Sequence, residues 1–232
     1  MHNAGAIILL VLILVAMPAL GIASYFRLKS GKPLPPKNRR YVTTIIVEIV
    51  LLLAAFNAAR EQRIPLFGTD LPGLPAIVAG AGFIAMLLTR IVQGWSKLKS
   101  ERKQRLRLLL PETHNDLKYW VWVSLLAGLA EECAYRGAAY SVLERWTHSP
   151  ELALALCVIS FAVAHMMQGI RSAVGVGIFG LVFHIVVFLT GGLYLAIVMH
   201  VVYDFALGVL LMKKMRAEQP AGSEPATIVN PS

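Results

Sequence analysis

The chain has 232 residues, of which 57% are hydrophobic and only 15% are charged. A soluble domain needs a more charged surface, so this composition favours a protein whose solvent is the lipid bilayer. The formal net charge is +9, but the basic residues are dispersed among the connections between apolar segments, so no nucleic-acid partner is predicted. Cys133 and Cys157 both lie in apolar segments. They are interpreted as buried thiols rather than as a disulfide or zinc-finger pair.

Seven apolar runs follow one another along the chain. They cover residues 4–26, 41–59, 73–89, 119–138, 152–170, 173–190 and 193–212. Each is close to the ~20 residues that a helix needs to cross the hydrocarbon core. Basic residues follow the first run instead of preceding it, which predicts a retained span and not a signal peptide. The predicted fold is an all-α, polytopic transmembrane helix bundle of about seven spans.

The distribution of Lys and Arg predicts the orientation of these spans. Alternate connections (27–40, 90–118, Arg171 and the tail) hold 18 of these residues, whereas the opposite connections hold 4. Because Lys and Arg are retained in cytoplasmic loops, we expect the N-terminus outside and the C-terminus in the cytoplasm. A six-span alternative without the run 73–89 would spoil the alternation. The predicted location is a bacterial cell (inner) membrane, which the protein crosses several times.

Three regions are predicted. Residues 1–118 form three spans and a basic cytoplasmic loop, residues 119–212 form a helical core, and residues 213–232 form a disordered cytoplasmic tail. Within the loop, residues 95–110 are basic with Leu and Trp interspersed. This pattern suits either a helix lying on the anionic inner leaflet or an ordinary positive-inside loop.

The ionisable residues inside the spans carry the functional information, because each costs at least ~2.5 kcal/mol at the bilayer centre. They are Glu48, Glu131, Glu132, Arg136, His165, His184, His200 and Asp204. Six of these eight lie in three helices of the C-terminal half, which indicates one site. His184 is expected to hydrogen-bond a neighbour, and Glu48 either faces the site or pairs with an Arg.

Helical spacing suggests a role for each member of this group. Glu132 and Arg136 are four residues apart and share a face, so they are predicted to pair, whereas Glu131 is rotated by ~100° and left available. His200 and Asp204 are also four apart. Counted along each helix from its cytoplasmic Lys or Arg, Glu131 and His200 lie at the same depth in the membrane. By the same count, His165 lies too close to the cytoplasmic surface to meet them.

A free glutamate, two imidazoles and a carboxylate suffice for hydrolysis. Glu131 is predicted to be the general base, and the imidazoles either polarise a carbonyl directly or bind Zn²⁺ through His165, His200 and Asp204. If the glutamate-based mechanism holds, no cofactor is needed. The alternatives are buried polar pairs that only lock the bundle, a proton-coupled carrier, and a non-catalytic scaffold or immunity protein.

Three short motifs resemble those of a known family. EECAYRG at 131–137 looks like its Glu-Glu-x-x-x-Arg motif, FAVAH at 161–165 like Phe-x-x-x-His, and HVVYD at 200–204 like His-x-x-x-Asn/Asp. In this order on successive apolar helices, they resemble the CAAX prenyl endopeptidase and bacteriocin-processing (CPBP, or Abi) family. The resemblance covers about residues 119–212.

The resemblance implies an intramembrane endopeptidase acting on a membrane-associated or lipid-modified peptide or protein. In the family, the residues matching Glu131 and His165 activate water, and those matching Glu132 and Arg136 support them. His200 and Asp204 match positions with an oxyanion-stabilising or metal-binding role, and metal dependence is argued both ways. Asp204 stands where Asn is also found, and an ionised carboxylate cannot donate a hydrogen bond to an oxyanion.

Overall fold

The computed structural model describes residues 3–68 and 71–218, and all the regular secondary structure in them is helical. The first long helix, Ala4–Lys29, contains a π-helical turn at Leu12–Ala16. We number the helices α1 (Ala4–Lys29), α2 (Lys37–Gln62), α3 (Leu74–Gly94), α4 (Ser100–Leu109), α5 (His114–Glu131), α6 (Tyr140–Thr147), α7 (Pro150–Ala164), α8 (Ile170–Thr190) and α9 (Tyr194–Ala217). The π-helix Glu132–Ala139 joins α5 to α6 without a break. The all-α prediction is confirmed.

Five helices are long and apolar enough to cross a membrane. Among the described residues, these are α1, α2, α3, α8 and α9. The other two predicted spans behave differently: α5 runs into a stretch with Glu131, Glu132 and Arg136, and α7 has only 15 residues. The seven-span topology and its orientation stay predictions.

The connections that hold most of the Lys and Arg residues meet at one end of the bundle, which we call the basic end. They are 27–40, 90–118, the connection with Arg171 and the start of the tail. Lys37 pairs with Glu112 at 2.8 Å, Arg102 lies 3.5 Å from Ser172, and Lys103 pairs with Glu218 at 2.7 Å. This hydrogen bond from Lys103 holds the pKa of Glu218 below its ordinary value. Such a meeting is what the alternating charge pattern requires of a bundle with those segments on one side.

The C-terminal helix extends further than predicted. Helix α9 continues through Ala217, so the predicted tail is helical from 213 to 217. The prediction that disorder begins at 213 is wrong there, because Met215 is buried against Trp95 and Leu110 at the basic end. Residues 219–232 of the predicted tail lie outside the described residues.

Helix α7 is shorter than the apolar run that predicted it. It ends at Ala164, and the 3₁₀ turn Met166–Gln168 follows before α8 begins at Ile170. A single span over 152–170 is therefore wrong, because the α-helical conformation is lost at His165 and Gly169, with a φ of 97°, separates the 3₁₀ turn from α8. This early end explains why His165 appeared too shallow: it lies past the end of a short helix and not partway along a long one.

Close packing of α5 on α9 sets the distances in the core of the C-terminal half. A Cβ on Gly128 would lie 2.9 Å from the backbone nitrogen of Val201, and Gly208 faces the ring of Trp120. Trp120 also donates a hydrogen bond to the carbonyl of Asp204. The absence of a side chain at these glycines lets the helices that carry Glu131 and His200 approach closely.

Candidate active site

The first motif lies where a helix widens into a π-helical stretch. Glu131 is the last residue of α5, and Glu132 begins the stretch Glu132–Ala139, all of which is buried. Glu131 is 6% exposed, Glu132 is fully buried and Arg136 is 4% exposed. Such stretches insert an extra residue into an α-helix and occur frequently at functional sites. The end of α5 and this stretch together place Glu131, Glu132 and Arg136 inside the bundle.

Glu132 connects the first motif to the third. Its Oε1 lies 3.1 Å from Nη1 of Arg136, one helical turn away, and 2.8 Å from Nδ1 of His200 on α9. The Arg136 guanidinium lies 4.3 Å from the centre of the Phe161 ring, within the range of a cation–π contact. Because a carboxylate only accepts, Nδ1 of His200 donates to Glu132 and its Nε2 is free to face elsewhere.

Glu131 lies between the two imidazoles. Its Oε1 is 3.7 Å from Nε2 of His165, and its Oε2 is 3.6 Å from Nε2 of His200. These separations are too long for direct hydrogen bonds, and they suit a bridging water or substrate atom. The carboxylate thus lies between two ring nitrogens without a direct hydrogen bond to either.

His165 is oriented by the motif that contains it. Its Nδ1 lies 2.8 Å from the carbonyl oxygen of Phe161, and the two rings are 4.6 Å apart. Since a carbonyl oxygen can only accept, Nδ1 donates to Phe161, and Nε2 is directed toward Glu131. The Phe161 ring therefore also supports this imidazole by packing against it.

Asp204 completes the group from the next turn of α9. Its Oδ2 is 3.6 Å from Nε2 of His200. The Asp204 and His165 side chains are 24% and 22% exposed, far more than those of Glu131 and His200. We identify this as the open side of the site.

All six predicted site residues are therefore brought into one connected cluster. The local pairs, Glu132 with Arg136 and His200 with Asp204, are those that the four-residue spacing predicted. The bond between Glu132 and His200 was not predicted: the four-residue spacing placed only Asp204 near this imidazole. No signal in the sequence could identify this bond, because it depends on how two distant helices pack.

Glu48 from α2 is an additional residue at the site, one of the two placements that the sequence left open. It is 4% exposed, and Oε2 has no hydrogen-bond partner in the described part of the chain. Its carboxyl group is close enough to Glu131, His200 and Asp204 for charge interactions with each. Its place near the middle of an apolar helix was the sequence signal that could have assigned it.

Among the described residues, His184 makes no hydrogen bond or ion pair with the six-residue cluster. It is 2% exposed, packs between the rings of Tyr140 and Phe188, and its Nε2 has no partner among the described residues. Within the described residues, Nε2 therefore does not make the hydrogen bond that was expected of His184. The two thiols, Cys133 and Cys157, are free and buried, as predicted.

The predicted zinc ligands are close to one another but do not form a metal site as they stand. Within residues 3–68 and 71–218, no three His, Cys, Asp or Glu side chains are grouped so that they could hold a metal ion. Zinc needs ligand atoms ~2.0–2.2 Å from a common centre. Ligation by His165, His200 and Asp204 stays a prediction.

The chain was compared with models of protein families. Residues 113–206 match the model described as type II CAAX prenyl endopeptidase Rce1-like. Searches of curated proteins and of solved structures found no match. The matched segment runs from the N-cap of α5 into α9 and contains all three motifs. It confirms the family that the motifs predicted: residues 113–206 carry the Rce1-like type II CAAX prenyl endopeptidase pattern.

Proposed function

We propose that the protein is an intramembrane endopeptidase that hydrolyses a peptide bond by glutamate-activated water. The observation that carries the proposal is the position of Glu131, buried and between Nε2 of His165 and Nε2 of His200. A base in this position can reach a water molecule that is itself within reach of both imidazoles. The family match over residues 113–206 supports the same class of reaction.

The side chains have separate roles in this reaction. Glu131 takes a proton from water as the water oxygen bonds to the scissile carbonyl carbon, and His165 orients the water through its Nε2 lone pair. The proton then passes from Glu131 to the leaving nitrogen as the carbon–nitrogen bond breaks. His200 donates from Nε2 to the oxyanion when both of its nitrogens are protonated, since Nδ1–H is already engaged by Glu132.

The substrate class follows from where the site lies. We infer a peptide or membrane protein, lipid-modified or membrane-embedded, that enters from the open side formed by His165 and Asp204. The inferred setting is seven spans in a bacterial cell membrane, with the N-terminus outside. The exposed large apolar residues of α1, α2 and α8 suit contact with lipid.

Glu131→Gln is the test of this proposal. The purified chain is reconstituted in vesicles with a quenched peptide that ends in a prenylated CAAX sequence, and cleavage is followed by fluorescence and mass spectrometry. General-base catalysis contributes ~10²–10⁴-fold, so we expect a loss of that size. Glu151→Gln is the matched control, because Glu151 is exposed at the start of α7.

The outcome separates an enzyme from a scaffold or carrier. Activity that survives in Glu131→Gln would overturn the role of Glu131, and a wild-type protein that cleaves no lipidated or membrane-protein substrate would favour a non-catalytic function. The metal hypothesis has its own measurement: elemental analysis of wild type, His165→Ala and His200→Ala. About one zinc per chain that is lost in both variants would assign these residues as ligands.

A further inference from the structure

A groove at the basic end lies outside the six-residue cluster of the candidate active site. Its volume is about 500 Å³. It is bounded by Tyr25 near the end of α1, by the segment from 97 to 105 and by residues 168–172, where α8 begins. Three separate parts of the chain therefore form the groove, and no residue of the six-residue cluster lines it.

The lining of the groove is strongly cationic. Five basic residues contribute to it, against a single carboxylate, Glu101: they are Lys97, Lys99, Arg102, Arg105 and Arg171. Glu101 is already engaged by Nη2 of Arg105 at 2.9 Å. Four of the five positive charges thus have no acidic counterpart in the lining.

Arg105 is held in place with one donor unused. Its guanidinium lies 5.7 Å from the centre of the Tyr25 ring, and Nη1 is buried with no partner among the described residues. The same Nη1 is next to Gly169, since a Cβ on that glycine would lie 3.7 Å from it. A fixed guanidinium with a free N–H group is a favourable donor for a phosphate oxygen.

The N-terminus of α8 adds backbone donors to the same groove. No side chain caps this helix, its N-cap is Gly169, and its first turn contains no acidic residue. The first amides of a helix lack acceptors within the helix and favour an anion. Arg102 reaches Ser172 in this first turn at 3.5 Å, so side-chain and backbone donors converge.

Exposed apolar residues continue from the groove along the adjoining helices. Ile170 and Val174 on α8 are 56% and 58% exposed, and Ile22 and Phe26 on α1 are 38% and 58% exposed. Each pair is four residues apart and therefore lies on one helix face. A ligand with an anionic head and an apolar chain would match both the groove and these faces.

We propose that this groove binds the phosphate group of an anionic phospholipid from the leaflet at the basic end. A free phosphate ion shares the charge but not the acyl chains, which is why the lipid is the occupant that the apolar faces favour. Scattered cations in an ordinary loop would attract such lipids only diffusely. The convergence of Arg102, Arg105 and the α8 N-terminus makes it a defined site.

The test measures lipid binding to the full-length chain in detergent by native mass spectrometry. Phosphatidylglycerol is compared with phosphatidylcholine, and Arg102→Gln/Arg105→Gln is compared with Lys32→Gln/Arg39→Gln. The second variant removes two exposed charges from the same end, outside the groove lining. We expect phosphatidylglycerol to bind in preference, about tenfold more weakly in the groove variant and within twofold of wild type in the control.

Three results would overturn the proposal. Equal losses in both variants would mean diffuse attraction, no preference over phosphatidylcholine would mean no anionic site, and displacement of the lipid by equimolar inorganic phosphate would mean a free-anion site. If the arginine variant does not fold, Lys97→Gln/Lys99→Gln removes two other groove cations and makes the same comparison. Catalysis is not measured, so the outcome is independent of the proposed peptidase activity.

Discussion

Replacing Arg136 by Met should strongly destabilise the protein. The Arg136 and Glu132 side chains are 1% and 0% exposed and pair at 3.1 Å, so the change leaves a carboxylate buried beside His200 alone. Removing one partner of a buried pair costs ~3–5 kcal/mol, because the other charge is left uncompensated. Loss of the contact with the Phe161 ring adds ~0.5–2 kcal/mol. We therefore expect a loss of about 3.5–7 kcal/mol in the free energy of unfolding.

A double-mutant cycle in mixed micelles measures this effect. Unfolding is followed with increasing denaturing detergent for Arg136→Met, Glu132→Gln and the double variant, with the exposed Arg60→Met as control. The double variant should lose less than the sum of the single losses, since no charge is stranded in it. A loss below ~1 kcal/mol in Arg136→Met, or simple additivity, would refute the assignment of a stabilising buried pair.

Three further predictions concern other parts of the molecule. Glu48→Met should raise the free energy of unfolding by ~1–3 kcal/mol, because its buried Oε2 has no partner, and should lower turnover; a lower melting temperature would contradict this reasoning. Gly128→Ala should reduce both turnover and stability by separating α5 from α9, whereas Gly82→Ala, which meets open space, should not. The pKa of Glu218 is lowered in the folded protein, chiefly by its hydrogen bond with Lys103. The stability that its contacts contribute is therefore fully present above the ordinary pKa of a glutamate and is lost as the pH falls through the lowered pKa. The fluorescence of Trp95, which donates to Glu218, should change on acidification in the wild type and show no such step in Glu218→Gln.

The parts of the site that the sequence predicted are those that a single helix determines. A four-residue spacing is enough to place Arg136 beside Glu132 and Asp204 beside His200, and rotation by ~100° is enough to separate Glu131 from Glu132. The hydrogen bond between Glu132 and His200 joins two residues that are 68 positions apart in the chain. Such a contact depends on the close approach of α5 and α9 at Gly128, which no local pattern encodes.

The long apolar helices of the fold could be predicted from the sequence, but the break after α7 could not. Five spans follow from length and hydropathy alone, because lipid-facing helices must be apolar over most of their length. The helices that carry the first two motifs fit this rule less well, since α5 leads into three charged residues and α7 ends early at Ala164. The apolar run 152–170 continues through this break, so hydropathy could not detect it.

The two adjacent glutamates show how one short motif can serve both stability and reactivity. Glu132 is held by Arg136 and His200, which compensates its charge and fixes the imidazole that faces Glu131. Glu131, one residue earlier, is 3.6–3.7 Å from both imidazoles and is left available to a water molecule. A buried carboxylate without a full set of partners is costly, and that cost is tolerated where the group must react. Exchanging either glutamate for glutamine should therefore stop turnover, but only Glu132→Gln should also destabilise the fold, because only Glu132 has partners to lose.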